Sequence, residues 1–89
     1  MNRLFTRTST GTIAQSDGIP PSGIIHSIFA TCTAAGSCRV QDAGGSVDFT
    51  ILMPANDTTV LNFQGLAYSG TLTLTLSGTA PKVWIEIGA

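Results

Sequence analysis

The run Thr71-Leu72-Thr73-Leu74-Thr75-Leu76-Ser77 places every leucine between two hydroxyl side chains. That period of two fits a strand with one buried face, because successive side chains on a strand point to opposite sides. A helix would scatter the three leucines around its circumference. β-branched threonine suits the solvated side of a strand, so the segment is amphipathic without any charge. Lys82 to Gly88 repeats the pattern, with Val83, Ile85 and Ile87 on one face and Lys82, Trp84 and Glu86 on the other. Ser77-Gly78-Thr79-Ala80-Pro81 reads as the loop of a hairpin joining these two strands.

The rest of the chain follows the same rule. Gly23 to Thr33 is the longest apolar run, and its β-branched and aromatic content favours a strand. Ser37 to Asp42 follows it, and Ala43-Gly44-Gly45-Ser46 makes a turn in which glycine supplies positive φ. Val47 to Met53 ends at Pro54, which cannot donate to a ladder, and Asn56-Asp57 turns the chain into Thr58 to Gln64. Strands recurring about every ten residues indicate a sandwich or small barrel. The expected fold is therefore all-β: a small antiparallel β-sandwich or jelly-roll-like barrel of about six to eight strands. Residues 1–22 differ, being threonine-rich and polar, with Pro20-Pro21 forcing an extended link. The expected organisation is an extended N-terminal arm over residues 1–22 and a β-sandwich domain over residues 23–89. Leu4-Phe5-Thr6 and Thr12-Ile13-Ala14 are short strand candidates within that arm.

Composition narrows the function. A chain of 89 residues, 43% apolar and 10% charged, makes one domain with a thin core and is not intrinsically disordered. A net charge of −1 with four basic residues leaves no surface to track phosphates, so no nucleic-acid partner is expected. No run reaches the roughly 18 apolar residues of a membrane span, and Met1 to Thr12 lacks a signal-peptide core. No membrane partner and a cytoplasmic origin are the expectations.

The candidate chemistry is sparse. Cys32 and Cys38 lie on either side of an expected hairpin, where same-side cysteines on paired strands come within disulfide range. The alternative is two buried thiols acting as small apolar residues in a reducing compartment. One histidine and two cysteines match no zinc spacing, so no metal or cofactor is expected. His26 lies among Ile24, Ile25 and Ile28 with only Ser27 and scattered aspartates to partner it, which suits a partly buried or interface histidine better than a general base. The carboxylates Asp17, Asp42, Asp48, Asp57 and Glu86 never pair in sequence, so a two-carboxylate hydrolase is not indicated. The expected chain is not an enzyme. Trp84 faces outward by alternation and is either capped by the arm or an interface anchor. Arg3, Leu4, Phe5 and Arg7 mark the arm as a second candidate interface.

The segment Gly23-Ile24 to Thr33-Ala34-Ala35-Gly36-Ser37-Cys38-Arg39-Val40-Gln41-Asp42-Ala43-Gly44-Gly45 resembles a pattern in small virion proteins of tailed bacteriophages. Pro54-Ala55, Thr58-Thr59, Asn62-Phe63-Gln64-Gly65-Leu66 and the closing strands extend the resemblance across residues 23–88. The cysteine pair stands outside that pattern. The resemblance implies a structural virion protein, a capsid decoration or cement protein that binds and stabilises the assembled head shell. Its partners would be the major capsid protein or other virion proteins. The chain would be a homo-oligomer, trimer or dimer, found in the virion and, during assembly, in the host cytoplasm. A neck, tail or fibre-base component is the variant of that reading. A carbohydrate- or host-surface-binding module, with Trp84 and Tyr68 stacking on sugar rings, is the alternative from another class.

Overall fold

The computed structural model describes residues 3–88 as eight strands: β1 (Arg3–Arg7), β2 (Gly11–Ile13), β3 (Ser22–Cys32), β4 (Gly36–Asp42), β5 (Asp48–Met53), β6 (Asp57–Ser69), β7 (Leu72–Leu76) and β8 (Lys82–Gly88). A 3-10 turn over Gln15–Asp17 is the remaining regular element. Met1, Asn2 and Ala89, the ends of the expected arm and domain, lie outside the described residues. The strands form two antiparallel four-stranded sheets, sheet one in the order β1-β8-β3-β6 and sheet two in the order β2-β7-β4-β5. Only β4 and β5 are consecutive strands paired within one sheet; every other step along the chain crosses between sheets. This interleaving is the jelly-roll arrangement of an antiparallel sandwich.

Period-two alternation builds the core directly. Val83, Ile85 and Ile87 of β8 and Leu72 and Leu74 of β7 are buried and point at each other's sheets. Ile25, Ile28 and Ala30 of β3 and Cys38 and Val40 of β4 complete the middle of that layer. Where β3 must keep its apolar face inward along its length, a bulge at His26 sets two residues opposite Glu86. Without it Ile25 and Ile28, three apart, could not both face the core.

The expected pairing of β3 with β4 and of β7 with β8 is corrected. Each pair is consecutive in sequence, yet the linking residues cross the sandwich rather than turn back in plane. The crossing end is tightly packed: Thr33 N donates to Thr79 O, Ser77 N donates to Ser37 O, and Asn56 N donates to Cys32 O. Gly36 belongs there for a physical reason, since a Cβ on it would collide with the Ser77 carbonyl.

The separate arm over residues 1–22 is corrected as well. β1 pairs with β8 from Arg3↔Ile87 to Arg7↔Val83, and β2 pairs with β7 from Gly11↔Leu74 to Ile13↔Leu72. Phe5, Ile13 and Ile19 are core residues. The polar composition of this stretch reflects edge strands with one solvated side. A covering partner is not required to explain it. Among the described residues no helix is long and apolar enough to cross a membrane.

Candidate functional site

Arg3 and Arg7 share the inward parity of Phe5, but β1 is an edge, so their long side chains close the side of the sandwich. Arg7 donates to Thr12 O on β2 at 3.2 Å and meets the Asp17 carboxylate at 3.5 Å. Arg3 reaches Gly18 O and stacks its guanidinium 5.3 Å from the centre of the Phe5 ring. Phe5 itself is turned into the core. Three of the five residues expected at an interface are therefore engaged along the sandwich edge and in its core. Leu4 and Trp84 face outward instead.

Those two belong to the outer face of sheet one, which the register defines row by row. Thr6 lies opposite Trp84, Trp84 opposite Phe29, and Phe29 opposite Val60, so one row spans all four strands. A flanking row holds Leu4, Glu86, Ser27 and Asn62, and the other holds Lys82, Thr31 and Thr58. Leu4 is 56% exposed, Val60 49% and Phe29 37%. With Trp84, Thr31 and Thr58 they line a shallow depression of about 360 Å³. Lys82 Nζ sits 4.9 Å from the centre of the Trp84 ring, and Ser27 Oγ donates to Glu86 Oε1 at 2.9 Å. Period-two parity identified Trp84 on this face. Phe29 and Val60 went unrecognised because each lies in an apolar run, and only the register shows that they align with Trp84.

Cys32 ends β3 in sheet one and Cys38 lies in β4 of sheet two, both buried and both free thiols. The paired-strand geometry behind the disulfide reading is absent, because residues 33–35 cross between the sheets. Cys32 Sγ donates to Thr79 O at 3.3 Å, and burial pushes the Cys38 thiol up to about 11. Thiols enclosed in this way act as packing groups rather than nucleophiles.

His26 occupies the β3 bulge with its Nε2 buried and without a hydrogen-bond partner. Asp42 is buried where β4 turns into β5; its Oδ1 accepts from Val47 N at 3.0 Å and its Oδ2 from Ser69 N at 2.9 Å. Burial pushes its carboxyl up, but the bonds from Val47, Ser69, Gly45 and Ser46 outweigh this and hold it below the usual carboxylate range. Asp48 is likewise held low, by the side-chain hydrogen bonds from Arg39. Among the described residues no three of His, Cys, Asp and Glu gather where a metal could be held. A polar hollow at the crossing end, lined by Thr31, Thr33, Asn56, Asp57 and Thr58 among others, contains one carboxylate, and its Oδ1 accepts from Thr58 N. Tyr68, the second residue of the sugar-stacking reading, is buried and donates its hydroxyl to Pro20 O at 2.9 Å, so it offers no ring to a ligand.

No family model and no curated protein matches this chain. A solved structure does. It is the Drosophila NLP-core, described for pentamer formation and histone binding. The match has a TM-score of 0.66 and 16% identity over 99% of this chain and 96% of that one. At that identity the likeness shows the fold alone. The expectation of a phage capsid decoration, tail or fibre-base protein is corrected: the structure this sandwich resembles is the core of a histone-binding pentamer. The physical reason lies in what carried the resemblance. Thr33 to Ser37 and Asp42 to Gly45 are crossing and turn residues that any jelly roll of this size needs.

Proposed function

We propose that this chain is a non-catalytic assembly subunit that associates with copies of itself through the outer face of sheet one. The observation that carries this is the row Trp84, Phe29 and Val60 with Leu4 beside it, which gathers three of the four exposed large hydrophobic residues among the described residues on one sheet face, the fourth being Leu52 of β5. Aromatic residues grouped on an exposed sheet face mark protein contacts, whereas scattered single apolar residues do not. The likeness to a core described for pentamer formation supports self-association.

Histone binding is not carried over with it. A basic partner needs an accessible acidic surface. Here Asp17 meets Arg7, Asp48 meets Arg39 in a two-pronged pair, and Asp42 is buried against backbone donors. The polar part of the patch is near neutral, with Lys82 at one border and Glu86 at the other.

Sedimentation velocity over a concentration series tests the reading. The wild-type chain is expected to sediment increasingly faster than a 9.2 kDa monomer as concentration rises. Val60→Asp should return it to the monomer without lowering the unfolding midpoint measured at low micromolar protein, where wild type is also monomeric, since Val60 is half exposed. A wild-type chain that stays monomeric at several hundred micromolar overturns the proposal.

A further inference from the structure

We infer that the self-contact is a face-to-face pair of sheets related by a two-fold axis running across the strands above Trp84 and Phe29, with Lys82 of one copy over Glu86 of the second. This rests on the self-association proposed above and adds its geometry.

The argument begins with the order of outer-face residues on β8. Lys82, Trp84 and Glu86 follow one another, and register places Thr31 and Thr58 level with Lys82, and Ser27 and Asn62 level with Glu86. The patch thus has a largely apolar central row, a polar row carrying a cation on one side, and on the other a row carrying an anion, with Leu4 at its β1 end. A two-fold across the strands reverses strand direction and keeps each strand over its own copy. The apolar row then meets itself. Lys82 meets Glu86 of the second copy twice, once at each border, and Thr58 meets Asn62 of the second copy beside them. A two-fold along the strands would instead set Lys82 opposite Thr31 and Glu86 opposite Ser27, pairing no charges. Charge complementarity selects the first arrangement and selects a second copy as the occupant.

The geometry tolerates the twist of the sheets. Facing sheets cross at about 30°. Lys82 and Glu86 each lie two residues from Trp84, about 7 Å along the strand. A 30° rotation displaces a point at that radius by about 3.5 Å, which a lysine side chain spans. The Lys82 ammonium already lies over the Trp84 ring, on an exposed residue of the same face. Four strands and three rows make a patch roughly 20 Å on a side, so the pair covers about 800 Å² in total, below the range of independently stable interfaces. The contact is thus weak by itself and suited to joining units already held together by other contacts.

Charge reversal tests the geometry separately from self-association. In the full chain, Lys82→Glu brings a new carboxylate against Glu86 of the second copy, and Glu86→Lys brings a new ammonium group against Lys82. Each variant is expected to associate about tenfold to thirtyfold more weakly than wild type at low salt. The double variant K82E/E86K restores opposite charges at both borders and should regain wild-type association. An equimolar mixture of the two single variants should likewise form mixed pairs, seen by sedimentation with one variant fluorescently labelled. Wild type that associates while both single variants associate equally well overturns this geometry and leaves the self-association standing. Single variants that weaken without recovery in the double variant or the mixture also overturn it. A wild-type chain that never associates removes both.

Discussion

Replacing Ile13 by alanine separates a removable arm from an integral strand. Ile13 ends β2, pairs with Leu72, and has no exposed surface. Truncating a fully buried isoleucine costs about 2–5 kcal/mol, from the lost transfer energy and the cavity left behind. A domain of this length has a total stability of roughly 4–13 kcal/mol. A loss near 3 kcal/mol should lower the thermal midpoint by roughly 12–24 °C. Leu4→Ala, at a residue of β1 that is mostly exposed, should change stability by about 0.5 kcal/mol or less. Both variants would be followed in urea by far-ultraviolet circular dichroism and Trp84 fluorescence. Low micromolar protein is required, because association would add an apparent stability of its own. An Ile13→Ala loss below about 1 kcal/mol would refute the placement of β2 in the core and revive the picture of residues 1–22 as an arm.

Asp42→Ala should destabilise the fold by roughly 1–3 kcal/mol at neutral pH, because the buried Val47 N and the part-buried Ser69 N lose a charged acceptor. The Asp42 carboxyl titrates below its unfolded value, so its contribution is complete above about pH 4 and is lost as the pH falls through the folded value. Urea midpoints of wild type and variant should therefore converge in acid, and a gap that widens there refutes the assignment. Gly36→Ala should cost several kcal/mol or abolish folding, since its methyl group meets the Ser77 backbone rather than a movable side chain; an unchanged melting curve would contradict the close crossing. Cys32 and Cys38 should resist a thiol reagent in the native state and react together on unfolding, with no change in electrophoretic mobility on reduction. Rapid native labelling of either would show that these thiols are not buried.

The sequence by itself determined the extended character of the chain and the faces of β7 and β8. Alternation in Thr71–Ser77 and Lys82–Gly88 is a local property, set by the geometry of an extended chain, so it predicted which side of β7 and β8 is buried and that Trp84 faces out. The all-β sandwich class followed from the same pattern. Tertiary structure decided which strand lies beside which. Whether residues 33–35 or 77–81 turn back in plane or cross the sandwich depends on close approaches between distant segments, such as Gly36 against Ser77, and no local propensity encodes those. That choice separated Cys32 from Cys38, enlisted Phe5 and Ile13 into the core, and turned Arg3 and Arg7 into latches across the sandwich edge. It also aligned Phe29 and Val60 with Trp84, because a row across a sheet is made by register between strands far apart in sequence. The candidate face was therefore legible one residue at a time, while its apolar row and charged borders exist only once the strands are paired.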